Sequence, residues 1–141
     1  HTAWLILQGI ETLPLRMAKH DENARRIAAL AKRHPATRFS TVVDNPGSVA
    51  ELSAACVEAG LRLPTLIDLN CGMNRTGVVP GPEAAAVYRG IADAPGLVPD
   101  GLHAYDGHLH EPDAAKLRSQ TNAAFEPVWR FRDELRAAGK L

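Results

Sequence analysis

Apolar positions along this chain alternate between two spacings. From Asp21 to His34 they fall on one side of a helix, with Ile27, Leu30 and Ala31 as the stripe. Asp21 can cap that helix and Pro35 ends it. Arg38–Asp44 (R-F-S-T-V-V-D) is rich in β-branched residues and predicts a short buried strand. Asn45-Pro46 predicts the next helix start, a cap followed by proline at the first helical position. Val49, Leu52, Cys56 and Ala59 then face inward, and Gly60 closes the helix. The alternation repeats with a strand at Thr65–Leu69, a glycine-punctuated loop, and a helix from Gly81-Pro82 to Asp93 carrying Val87, Tyr88 and Ile91 on one face. Pro95-Gly96 turns the chain, and Gly101–Tyr105 (G-L-H-A-Y) predicts another strand. Asp106–Pro112 reads as a polar loop and Asp113–Ala138 as a last helix, with Pro127 inside it predicting a kink or a restart.

Strand and helix in alternation, joined by short connections, predict right-handed βαβ units and a parallel sheet, hence an α/β fold. The strands are apolar runs rather than alternating patterns, as expected of strands covered on both faces. Before residue 20, Trp4–Leu7 or Leu13–Met17 could add one more strand, with Pro14 favouring an edge or a loop. No low-complexity segment or linker divides the chain, so residues 1–141 read as one partial domain.

Composition narrows the partners. Sixteen basic residues balance sixteen acidic ones, which gives no electrostatic reason to expect nucleic acid or an anionic membrane. The apolar run Ala3–Leu7 is far too short to span a bilayer. The two cysteines, Cys56 and Cys71, have neither metal spacing nor a disulfide framework, and a reducing cytoplasm fits them. A chain that starts at His1 and stops at Leu141, just past a helix end, reads as a processed or excised piece.

In a parallel α/β layout, chemistry gathers in the loops beyond the carboxyl ends of the strands. The loop at Asp44-Asn45 is most simply a helix cap. The loop Asn70–Gly77 carries one cation, Arg75, between Asn74 and Thr76. A guanidinium in such a loop suits an anionic ligand oxygen, and a solvated arginine is the plain alternative. The loop after the last strand packs His103, Tyr105, Asp106, His108, His110, Glu111 and Asp113 into eleven positions. That density could bind a divalent cation or supply a general acid and base; a solvated histidine-rich loop is the plain alternative. Nucleotide-phosphate loops and the G-x-S-x-G elbow are absent.

Taken together, D-L-N-C-G-M-N-R-T-G at 68–77 and G-L-H-A-Y-D-G-H at 101–108 resemble the alanine racemase-type (fold-type III) pyridoxal-phosphate enzymes. G-M-N-R-x-G is shared with the racemases, whereas A-Y-D-G-H points to the D-threonine aldolase and D-serine dehydratase branch. D-N-P at 44–46 and P-G-P-E-A at 80–84 agree, and the likeness runs from Asn23 to Leu141. The resemblance implies a (β/α)8 TIM-type barrel that binds pyridoxal phosphate at its carboxyl-end mouth. Arg75 would donate to the cofactor's phenolic oxygen and Tyr105 would approach the cofactor from the next strand. A histidine after Tyr105, His108 or His110, would act as acid or base near the substrate hydroxyl, and spacing does not choose between them. The implied activity is retro-aldol cleavage of 3-hydroxy-D-amino acids, with dehydration or racemisation as alternatives. A homodimeric parent, and a divalent cation with ligands outside this chain, belong to the same implication.

The chain also departs from that pattern. A full barrel needs about 250 residues, and this chain has material for only part of one. None of Lys19, Lys32, Lys116 and Lys140 sits at a strand end as a Schiff-base lysine would, and the Gly-rich phosphate loop is missing. This stretch alone is therefore expected to be inactive. Two other readings stand beside it. One is a metal-dependent hydrolase built on His103, Asp106, His108 and His110. The other is a non-catalytic cofactor carrier, against which G-M-N-R argues.

Overall fold

The structure, a computed structural model, describes Arg26 and residues 29–141. Residues 29–33 are helical, which agrees with the end of the helix expected over Asp21–His34. The rest of that helix apart from Arg26, and the strand candidates Trp4–Leu7 and Leu13–Met17, lie outside the described residues. Then follow β1 (Thr41–Val43), α1 (Pro46–Glu58), β2 (Leu63–Leu69), α2 (Pro82–Asp93), β3 (Leu97–Ala104) and α3 (Ala114–Ala137). The strands form one sheet in the order β1-β2-β3, parallel throughout.

Local sequence explains the helix starts. Asn45 keeps an extended backbone while its side-chain oxygen accepts from the Ser48 N–H at 2.9 Å, and Pro46 occupies the first helical turn. Beyond α1 the chain reverses through Gly60 at φ 67, a conformation that favours glycine. Asp113 caps α3 by accepting from the N–H groups of Ala115 and Lys116, each at 2.9 Å.

The core lies between the sheet and the helices. Thr65, Ile67 and Leu69 alternate onto one face of β2 and are buried there. Val49 and Cys56 of α1, Val87, Tyr88 and Ile91 of α2, and Val128, Phe131 and Leu135 of α3 belong to the same buried set. The opposite face of β2 carries Leu66 and Asp68, and Asp68 is registered against His103 of β3.

Three expectations need correction. The strand expected over Arg38–Asp44 pairs only at Thr41–Val43, and the Arg38 guanidinium instead pairs with Asp100. The third strand begins at Leu97 rather than Gly101 and stops at Ala104, leaving Tyr105 just beyond its end. Pro99 does not prevent this, because the register passes from Thr65↔Pro99 to Leu66↔Gly101 and the bulge absorbs Asp100. Finally, of the kink or restart expected at Pro127 only the restart is excluded: α3 runs through Pro127 as one helix, its far half anchored by buried Val128, Phe131 and Leu135.

A candidate active site at the carboxyl ends of the strands

The loop leaving β2 is shaped largely by one side chain. Asn70 Oδ1 accepts from the N–H groups of Gly72 (3.0 Å) and Asn74 (3.1 Å), while Asn70 Nδ2 donates to Asn74 Oδ1 at 2.9 Å. This network holds Asn74 at φ 53 immediately before Arg75. The chain then returns to the sheet, with Asn70 N–H donating to Val78 O and Val78 N–H to Asp68 O, both at 3.0 Å. Gly77 makes that return possible: at φ 93, a Cβ there would lie 2.7 Å from the Asn70 nitrogen. Its N–H donates to Asp44 Oδ2 at 2.9 Å. Of the pair Asp44-Asn45, then, only Asn45 is the helix cap; Asp44 ties the loop after β1 to the Arg75 loop.

The loop leaving β3 is fastened to the same structure. The Cys71 thiol donates to the Tyr105 carbonyl at 3.2 Å, and burial pushes this thiol's pKa up, keeping it a neutral donor. The Tyr105 ring lies over Gly107, where any Cβ would collide with it. His108 packs on Gly72, whose Cβ would come 2.8 Å from the imidazole Nε2. Asp106 accepts from Thr121 of α3 at 3.3 Å.

These loops enclose a small cavity of about 30 Å³, lined among others by Asp68, Cys71, Arg75, His103 and Tyr105. Inside it, His103 Nδ1 lies 2.8 Å from Asp68 Oδ1. Asp68 is only 7 % exposed. A far larger cavity of about 720 Å³ is an open groove between α1 and α2, lined by residues such as Val49, Val57, Ala86 and Val87. Size and chemistry disagree here, and the convergent polar groups mark the small cavity as the candidate site.

Arg75 and Tyr105, expected as cofactor-binding residues, do line one cavity. His108 sits beside it with Nδ1 buried and without a hydrogen-bond partner, and His110 is exposed and outside the lining. Sequence reasoning missed Asp68 and undervalued His103. The available signal was a lone carboxylate inside the apolar run L-I-D-L. Among the described residues, no three His, Cys, Asp or Glu side chains are placed to hold a metal ion. The cluster proposed for a metal-dependent hydrolase is dispersed instead: His103 pairs with Asp68, Asp106 with Thr121, and His108 packs on Gly72. Lys32, Lys116 and Lys140 are exposed and away from the cavity, and Lys19 lies outside the described residues.

Comparison with known proteins gives four findings. The family pattern described as alanine racemase, N-terminal domain, matches residues 11–141. A 3-hydroxy-D-aspartate aldolase from Paracoccus denitrificans (strain Pd 1222) is 30 % identical over 115 residues, which is 81 % of this chain and 29 % of that protein. The crystal structure of D-threonine aldolase from Filomicrobium marinum superposes with a TM-score of 0.78 at 31 % identity, covering 84 % of this chain and 32 % of that one. An O-acetyl-L-homoserine sulfhydrylase from Leptospira meyeri is 49 % identical, but over only 45 residues and 10 % of its length, a local likeness. The chain therefore spans under a third of the length of the aldolases it matches.

Proposed function

This chain belongs to the alanine racemase N-terminal domain family, a TIM-type barrel, and on that premise we propose that it forms one wall of a pyridoxal-phosphate site in a D-amino-acid lyase. The reaction is retro-aldol cleavage of 3-hydroxy-D-amino acids, a class named for the similar 3-hydroxy-D-aspartate aldolase. The observation that carries the reading is the convergence of Arg75 and Tyr105 on one cavity beyond the strand ends.

The donor set fits one edge of that cofactor. Arg75 stays cationic at every working pH and can hold a phenolic oxygen in its anionic form. Tyr105 offers a phenol and an aromatic face, and its main chain is fixed by the Cys71 thiol. No described lysine lines the cavity. When bound, the cofactor supplies an electron sink for the carbon left by bond cleavage. The chain's own residues orient the ring edge, narrow the cavity against water, and hold a proton at the substrate hydroxyl. For that last task the resemblance offers His108 and His110, both on the loop that follows Tyr105. The parent acts as a homodimer, with a divalent cation held outside this chain. Two buried free thiols, Cys56 and Cys71, support a cytoplasmic location.

Replacing Arg75 tests this assignment. In the parent, Arg75→Ala should weaken retention of pyridoxal phosphate and shift its visible absorption, because the phenolic oxygen loses its cation. An unchanged spectrum together with an unchanged rate contradicts the assignment.

A further inference from the structure

Arg75 carries the cofactor contact proposed above, yet its own side chain does nothing to hold it in place. It is exposed and, among the described residues, its guanidinium has no hydrogen bond or ion pair. Its aim therefore comes from the backbone on either side. Before it, Asn74 stands at φ 53, with its N–H donating to Asn70 Oδ1 at 3.1 Å. After it, the Gly77 N–H donates to Asp44 Oδ2 at 2.9 Å, across from the loop after β1. Among the described residues, that is the one hydrogen bond made by residues 75–77.

We propose that Asp44 is a positioning residue for Arg75: its carboxylate fixes the far end of the loop, and with it the guanidinium, before the cofactor arrives. The proposal rests on the pyridoxal-phosphate reading above and deepens it. Asp44 is well placed for this because it is anchored on its other sides. It directly follows β1, whose Val43 is buried and paired with Ile67 of β2. Its second oxygen, Oδ1, accepts from Asn45 Nδ2 at 2.8 Å. Asn45 is in turn held as the cap of α1, with Oδ1 accepting from the Ser48 N–H and Nδ2 donating to Ser48 Oγ. A carboxylate suits this place, since the start of a helix favours negative charge and a charged acceptor binds an N–H more strongly than a neutral one. Gly77 meets it closely packed, because a Cβ there would lie 2.7 Å from the Asn70 nitrogen. The start of α1 is thereby connected to the cation through Asn45, Asp44 and the Gly77 backbone. A binding group held this way needs no reordering when its ligand enters.

Absorption titrations of the parent protein with pyridoxal phosphate test this, with Ser53→Ala as the control. Ser53 Oγ accepts from the Gly96 N–H at 3.1 Å, so the control also deletes a side-chain acceptor of a glycine N–H. It does so at the amino-terminal end of β3, outside the cavity lining. Asp44→Ala should shift the visible absorption in the same direction as Arg75→Ala and raise the Kd for pyridoxal phosphate about tenfold. Adding Asp44→Ala to Arg75→Ala should change neither quantity further, because both residues act through one guanidinium. Asp44→Asn keeps an oxygen that can face the Gly77 N–H and should hold the wild-type absorption. Ser53→Ala should hold it too, which separates placement of the cation from a general loss of stability. If Asp44→Ala does not fold, Asp44→Glu, which moves the carboxylate by one methylene, should show the shift in its place. Wild-type absorption and Kd in the folded Asp44 variant, an equal shift in Ser53→Ala, or effects that add in full to those of Arg75→Ala overturn the inference and leave the lyase reading standing. Unchanged absorption and rate in Arg75→Ala itself overturn both.

Discussion

At Gly77 the backbone takes φ 93, and the nearest atoms to a Cβ there would be backbone atoms of Asn70 and Leu69, which cannot swing aside. The same residue's N–H reaches Asp44 across from the neighbouring loop. Gly77→Ala should therefore destabilise the protein by about 1–3 kcal/mol. Urea denaturation monitored by circular dichroism would show it as a lower midpoint, and an unchanged midpoint would mean that the loop has room the structure does not show. At this scale the sequence was partly legible. Arg75 and Tyr105 could be picked out because they sit in two short motifs in the right order. The Asp68–His103 pair could not, because it joins residues 35 positions apart, and only the register of β2 against β3 brings them together. Asp44 was read as part of a cap for the same reason: its partner, Gly77, is remote in sequence.

Helices were read more accurately than strands, and the cause is physical. A helix start is written in neighbouring residues, as at Asn45-Pro46 and Asp113, where each cap acts within three positions of itself. Asn45→Ala should thus cost about 1 kcal/mol, the usual price of a lost N-cap. A thermal melt would report it, and Asn45→Ser should recover most of the loss because serine caps equally well. Strand limits depend on a partner instead. β1 is cut to Thr41–Val43 because only those residues find β2, while β3 extends back to Leu97 through Pro99 because a bulge at Asp100 restores the ladder. Neither outcome is encoded locally. The continuity of α3 through Pro127 follows the same rule, since burial of Val128, Phe131 and Leu135 outweighs the missing backbone donor.

Across the whole molecule, the alternation of strand and helix led correctly to parallel βα units, and the paired motifs led to the barrel family. Among the described residues β1 and β3 each pair on one side only, so the three strands are an arc of the larger sheet that the family's barrel closes. The site lies where that architecture places chemistry, at the carboxyl ends of the strands. It brings together a cation, a phenol and an imidazole paired with a carboxylate. The most direct test of the account is product analysis of the parent protein loaded with pyridoxal phosphate and supplied separately with D-threonine and L-threonine. The account predicts glycine and acetaldehyde from the D isomer and none from the L isomer. Release of ammonia and a 2-oxo acid without glycine, or racemisation without cleavage, would contradict it.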